Sequence, residues 1–471
     1  MSPATTIRAE IINYLEGNGH TFSSFGQTLG INKGVISAIL NNNPPKPISV
    51  RQIDLITKGL GYAEGALYDL YVEECFFNEK PNGRRISTFL IRCAELGKED
   101  CIAEVLSRLM ENLIYVPLIF SIAEKLYMSE MAKESIIFYQ CVAEHEKYQH
   151  SERLAISQYR IFRASLGLDS EHNMEATLQF VSYRKRLPEN YHLDALNQLM
   201  NIYYTMDKYE KVEKYADELI ILSSIVLENE KNRRLGKRAY EPLVTEKPLF
   251  VYYAYGYLMK GAALECQERY EEALKYVAAY ADLSWVEGLD QDELLIVEQY
   301  RLWAIANTYT LEILMGNVSI LPAYTQLLQD NPTEILPGLL TIMRSANQHG
   351  FSVDDILEVF KDSIEEYQED PFSNLSNGYI SGINRVSCAN LCYQIAIYQF
   401  GNKRYREGIR NTLQCLTINA KINKKGEIID SMSLFERYRS FTSAEELGEY
   451  NQIIKGGYNY ERNSSFVNSS Y

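Results

Sequence analysis

From about residue 85 to residue 455, apolar side chains recur every three or four positions and short polar turns separate the runs. Almost no stretch alternates with the period of two expected of a half-buried strand, so the pattern predicts an all-α chain. Nearer the N-terminus the same periodicity comes in shorter pieces. Helices are predicted over 6–16, ended by Gly17-Asn18-Gly19, over 23–29, and over 33–40, ended by Asn41-Asn42-Asn43-Pro44-Pro45. Two more are predicted over 50–60 and 64–76.

Several longer segments share one arrangement. A small residue sits in a first helix, an aromatic or apolar residue closes a polar turn, and a second small residue follows where the two helices approach. AYGYLMKGAALECQERYEEALKYV has Gly261, Tyr270 and Ala273 in these places, and LCYQIAIYQFGNKRYREGIRNTL has Ala396, Tyr405 and Gly408. Tyr203, Tyr209 and Val212, the pair Ala123 and Ser135, and the pair Ala164 and Ala176 repeat it. These segments resemble tetratricopeptide repeats, with irregular spacing and insertions. The resemblance implies a superhelical array whose concave face is made mainly by the first helix of each hairpin.

The segment TFSSFGQTLGINKGVISAILNN carries a second pattern. Gly26 supplies a small contact between two helices and Gly30 a turn, while Phe25, Leu29, Ile31, Ile36 and Ile39 supply apolar anchors. It resembles the Cro/repressor-type helix-turn-helix family. The resemblance makes 33–40 the recognition helix in a DNA major groove, with Asn32, Lys33, Ser37 and Asn41 as base-reading candidates. Thr21, Ser23, Lys46 and Arg51 are candidates for phosphate contacts, which position a protein on DNA without reading sequence.

Charge sharpens this division. The chain of 471 residues carries a net −15, yet residues 1–63 hold five Lys/Arg against three acids. A slightly basic end on an acidic body suits a DNA-reading head whose body stays off phosphate. Tyrosine is abundant, 36 against 17 Phe and 2 Trp, as suits rings wedged between packed helices. No apolar run reaches the roughly 18–20 residues of a membrane helix, and the N-terminus lacks the pattern of a signal peptide. The eight cysteines are therefore expected to be reduced and the protein cytoplasmic, with no membrane partner.

Chemistry is sparse. The sequence has no phosphate loop, no Gly-x-Gly-x-x-Gly and no His-Glu-x-x-His, and its six histidines are dispersed. Cys388 and Cys392 are four apart without a second pair at zinc spacing, which favours core packing. No enzyme, cofactor or metal is expected.

A helix-turn-helix head joined to tetratricopeptide-like repeats resembles the RRNPP group of peptide-pheromone receptors of Gram-positive bacteria, with the arbitrium receptors of temperate phages as the nearest branch. The resemblance implies a homodimer on an inverted-repeat operator, switched by a short oligopeptide in the concave groove. Asn197 and Asn201, four apart on a first helix, have the spacing to hold a peptide backbone through amides that both donate and accept. Asn307, Asn390, Tyr393 and Gln394 occupy similar places, and Arg301 suits a peptide carboxylate. The expected domains are a DNA-binding head over 1–77, a peptide-binding and dimerisation array over 78–455, and a disordered tail over 456–471. Two alternatives remain open: a ligand-independent repressor, and a repeat-based regulator of a signalling enzyme. The run Lys231, Arg233, Arg234, Lys237 and Arg238 reads as a solvated helix extension or a DNA contact, and 365–382 as a long loop.

Overall fold

The computed structural model of the chain describes residues 6–77, 81–149, 151–167, 169–235, 241–369 and 380–467. All regular structure among them is helical, with no strand. The chain divides into two compact units, Met1–Ala164 and Ser165–Tyr471.

The first unit begins with α1 (Ile7–Asn18), α2 (Phe22–Leu29), α3 (Lys33–Asn41), α4 (Val50–Gly59) and α5 (Tyr68–Cys75). Local chemistry sets their ends. Thr21 caps α2 by accepting from the Ser24 amide, and Ser24 returns the favour to the Thr21 amide. Gly30 closes α2 in the left-handed conformation (φ 65°), and the next amide, Ile31, donates to the Gly26 carbonyl at 2.9 Å. A β-carbon on Gly26 would lie 2.5 Å from the Ile31 carbonyl oxygen, so no larger residue fits there without moving the turn. Asn32 then caps α3 by accepting from the Gly34 amide at 2.8 Å.

A buried ion pair fastens this group. Glu74 on α5 accepts from the Arg8 guanidinium of α1 and from the Ile48 amide at 3.0 Å, while Arg8 also donates to the Ile39 carbonyl of α3 at 3.0 Å. The C-terminal end of α3 is thereby tied to α1 and α5.

The core does not stop at α5. It runs on through α6 (Gly83–Glu95), α7 (Glu99–Leu109), α8 (Val116–Met128) and α9 (Ala132–His145), with α10 (Glu152–Ser165) following. Phe89 of α6 is fully buried, its ring centroid 5.2 Å from that of Tyr68 and 4.8 Å from that of Tyr71. Arg92 pairs with Glu64, and Arg108 reaches Glu73 at 2.8 Å. The division expected between residues 77 and 78 therefore falls inside a single core, because two tyrosines of α5 need the phenylalanine of α6 to be buried.

The second unit holds α11 (Ser170–Phe180), α12 (Glu189–Thr205), α13 (Tyr209–Leu235), α14 (Leu249–Cys266), α15 (Tyr270–Ala281), α16 (Gln291–Leu314), α17 (Leu321–Asp330) and α18 (Ile335–His349). It continues with α19 (Asp354–Val359), α20 (Lys361–Glu369), α21 (Ile380–Gly401), α22 (Tyr405–Lys421), α23 (Lys425–Arg437) and α24 (Ala444–Val467). Consecutive helices pack as pairs, most extensively α12 with α13, α13 with α14, α14 with α15 and α21 with α22. Most of the expected close approaches occur, although Ala164 and Ala176 are only half-buried. Ala123, Ser135, Ala273 and Ala396 are fully buried, a β-carbon on Gly261 would touch the Ala273 carbonyl, and one on Gly408 would run into the Phe400 ring.

The turn geometry seen at Gly30 recurs in each unit, among other joints at the hairpins α6–α7, α8–α9, α12–α13, α14–α15, α21–α22 and α22–α23. Gly97, Glu130, Asp207, Glu268, Lys403 and Asn423 each adopt positive φ. In every case the next residue's amide donates five residues back: Lys98 to Cys93, Met131 to Leu126, Lys208 to Tyr203, Arg269 to Leu264, Arg404 to Gln399 and Lys424 to Asn419, all at 2.9–3.1 Å. The left-handed region costs an L-residue roughly 1–2 kcal/mol, which the packed helices on either side offset.

Three expectations concern the remaining segments. The basic run is partly on helix: α13 continues to Leu235, so Lys231, Arg233 and Arg234 are exposed along its extension, with Arg233 donating to Glu230, while Lys237 and Arg238 lie outside the described residues. Helix extends into the stretch expected as a loop, through α20 to Glu369 and from Ile380 onward, and 370–379 lie outside the described residues. It also extends into the expected tail, since α24 runs to Val467 through a stretch with no proline to stop it, and 468–471 lie outside the described residues.

Two outcomes follow for stability. A chain cut after Phe77 exposes the α6-facing sides of Tyr68 and Tyr71, so it should melt at lower temperature than a chain cut after Ala164, as circular dichroism would show. Glu218 of α13 is the second case. Burial alone would raise its pKa, but hydrogen bonds from His192 at 3.2 Å and Arg184 at 2.9 Å outweigh burial and hold it at about 2. A depressed carboxylate stabilises the fold above the ordinary glutamate range, and that contribution is lost as pH falls through about 2. Urea unfolding should therefore find Glu218→Gln less stable than the parent at pH 7, with the gap closing under acid.

Candidate functional site

Two surfaces carry the polar residues singled out by the sequence. The first is the outward face of α3. Ile36 and Ile39 bury its inner side, which leaves Lys33 and Asn41 exposed and Ser37 half-buried on the other, at successive intervals of four. Asn32 stands at the head of this face, although its side-chain oxygen is engaged in capping. Thr21, likewise, is exposed but uses its hydroxyl as the α2 cap. Ser23, Lys46 and Arg51 are exposed, Arg51 in the first turn of α4. Lys46 is held in place by its backbone, whose amide donates to the Ala38 carbonyl at 2.9 Å and whose carbonyl accepts from Arg8 at 3.3 Å.

The second surface is a cavity of about 330 Å³ inside the second unit. Its walls come from opposite ends of that unit's sequence. Tyr204, Asp207 and Tyr209 stand on one side, and Asn419, Glu427 and Asp430 on the other. Asn390, Tyr393 and Gln394 project into it from one face of α21, and Arg344 from α18.

Its electrostatics are mixed. Arg344 pairs with Glu265 at 3.2 Å, and burial, the largest effect on Glu265, keeps that carboxyl above its usual range despite the guanidinium. For Asp207, burial pushes the pKa up but is outweighed by the Lys424 ammonium at 2.9 Å and by the Tyr209 hydroxyl, which donates at 2.6 Å; the net direction is down. Asn419 of the cavity wall is 1% exposed, and its buried side-chain oxygen has no hydrogen-bond partner. Gln394 accepts from Asn347 at 2.9 Å.

The structure brings three of the seven expected peptide contacts to this cavity: Asn390, Tyr393 and Gln394. The other four lie elsewhere. Asn197 and Asn201 are buried where α12 packs against its neighbours, with Asn201 accepting from the Tyr255 hydroxyl of α14. Asn307 donates to the Tyr280 hydroxyl at 2.7 Å. Arg301 is exposed, 3.7 Å from Glu298. Four-residue spacing puts Asn197 and Asn201 on one face as expected, but that face is covered by helix α14.

Asp207, Tyr209, Arg344, Asn419, Glu427 and Asp430 were not singled out from the sequence. Only Tyr209 carried a signal, as the aromatic closing a hairpin turn. The cavity's two thiols, Cys266 and Cys415, are each pushed up to about 12, chiefly by burial, and stay protonated at neutral pH. Cys388 and Cys392 are buried in the helical core. Among the described residues no cluster of His, Cys, Asp and Glu is arranged to hold a metal, and no helix is long and apolar enough to cross a membrane.

No protein-family model matches the chain, and no curated protein is detectably similar to it in sequence.

Proposed function

We propose that the protein is a cytoplasmic DNA-binding transcriptional regulator, with a helix-turn-helix head and a degenerate tetratricopeptide-like array that takes a short oligopeptide in its cavity. The observation that carries the reading is the joint between α2 and α3. Gly26 sits against the Ile31 carbonyl, Gly30 is left-handed, and α3 turns Lys33, Ser37 and Asn41 outward from its buried isoleucines. That combination fits a recognition helix entering a major groove, where Lys suits guanine or phosphate and Asn suits adenine. Exposed Lys46 and Arg51 fit phosphate contacts beside it. The shared left-handed turns support the repeat reading. A single small head offers little contact area, so a homodimer on an inverted repeat is the expected form.

The peptide half rests on the cavity. Its volume lies at the lower end of ordinary ligand pockets, and its wall mixes amides, a guanidinium, carboxylates and phenols able to pair with both peptide N–H and C=O. Asn390, Tyr393 and Gln394 are the contacts that remain from the sequence reading, joined by Arg344 and Asp430.

Selection from random duplexes should enrich a two-fold symmetric sequence. Lys33→Ala and Ser37→Ala should then each weaken it, by about 1–3 kcal/mol for a side chain that reads a base, without loss of helicity. Enrichment of no sequence at all would defeat the DNA reading. A thermal-shift screen of short peptides encoded near the gene should raise the melting temperature, and calorimetry should show Asn390→Ala reducing affinity by about 1–3 kcal/mol. Equal affinity in that variant would remove the ligand from this cavity.

A further inference from the structure

The start of α11 and the α12–α13 turn, early in the second unit, meet the α22–α23 turn near its end. The Ser170 amide donates to the Ile422 carbonyl at 3.4 Å, and Asn423 donates to Asp169 at 3.1 Å. Lys425 reaches Glu171 at 2.7 Å, and Lys424 reaches Asp207 at 2.9 Å and also pairs with Glu427. Two of the left-handed turns described above, at Asp207 and at Asn423, are thus joined tip to tip.

Lys424 stands out when the six turns are compared. The residue after the left-handed position is Lys98, Met131, Lys208, Arg269, Arg404 or Lys424, and the first five are exposed or half-buried. Lys424 is 5% exposed, with its ammonium withdrawn from water against two carboxylates. A lysine this buried is sustained only by its partners. Both partners, Asp207 and Glu427, are cavity wall, and one comes from each end of the ring.

We propose that Lys424 is a clasp that shuts the second unit into a ring, and that the cavity exists only while the clasp is closed. A ligand in the cavity touches both ends of the ring, so it binds the closed form and holds the clasp shut. The ligand half rests on the cavity being the ligand site; the clasp itself does not.

Hydrogen–deuterium exchange on the ligand-free full chain tests the clasp. In Lys424→Met, segments 170–180 and 425–437 should lose protection together, by ten-fold or more in exchange rate, while α14–α16 keep theirs. Asp207→Asn, a milder change at the half-exposed end of the pair, should reproduce the pattern. Lys424→Arg should restore most of the protection, and Lys425→Gln, on the exposed pair, should behave as the parent. Unchanged protection in Lys424→Met, loss in one segment only, or faster exchange throughout the unit in both Lys424→Met and Asp207→Asn would overturn the clasp. For the ligand half, a peptide from the thermal-shift screen should bind Lys424→Met at least ten-fold more weakly than the parent, although Lys424 is outside the cavity wall. Equal binding would overturn the linkage. A screen in which no peptide binds would overturn the cavity reading, and exchange would still decide the clasp.

Discussion

Each hairpin with the recurring turn depends on one backbone hydrogen bond, from the first amide past a left-handed residue to the carbonyl five positions earlier. That bond ends the first helix and aims the second back along it, which brings the small residues of the two helices face to face. Helices of 11 to 14 residues, such as α7, α8 and α9, are marginal in water on their own. Their persistence comes from the faces that the turn presses together. Where the approach is tightest, as at Gly408 against Phe400, the side chain has shrunk to hydrogen so that a ring can occupy the space.

This constraint explains what the sequence made legible and what it hid. The joint at Gly26 and Gly30 could be read because both residues answer to local geometry: a side chain on Gly26 would meet a carbonyl five positions on, and Gly30 takes a left-handed conformation that favours glycine. The hairpins could be read from their small and aromatic residues. Their left-handed positions could not, because Glu130, Asp207, Glu268, Lys403 and Asn423 are ordinary polar residues held in an unfavourable conformation by the packing around them. The closing of the ring was also hidden. Lys424 and Asp207 lie 217 residues apart, and no periodicity connects them. Most of the cavity wall shares that origin, which is why Asn390, Tyr393 and Gln394, close together on a single helix, were the part that local spacing found.

Asn197 and Asn201 show why spacing alone misleads. A polar stripe on α12, Asp194, Asn197 and Asn201, has the period of a groove-lining face, yet it lies inside the unit. Asp194 accepts from Tyr252 and Asn201 from Tyr255, both on α14, so two phenols three residues apart meet two polar side chains seven apart. Groove and seam demand the same helical period, and only the partner helix distinguishes them. Such a seam adds little net stability, since each buried polar group gives up water to gain its bond. Its effect is on register: sliding α12 one turn along α14 would leave Asp194 or Asn201 without its phenol. Asn197, whose side-chain oxygen lacks a partner, is the weak point in that seam.

The same accounting applies to the cavity. Its wall is assembled from segments that only the closed ring brings together, so empty and filled cavities differ in how much the closure itself must supply. An ionic closure suits this arrangement better than an apolar one. A hydrophobic clasp of similar area would be insensitive to what lies beside it, whereas Asp207 and Glu427 serve the clasp on one side and face the cavity on the other. Any donor placed against those carboxylates from within the cavity competes with Lys424, and any acceptor placed there repels them. The ligand that holds the clasp shut must therefore leave that pair of carboxylates to Lys424. Such a ligand directs its own donors toward Asp430, away from the pair that Lys424 already occupies.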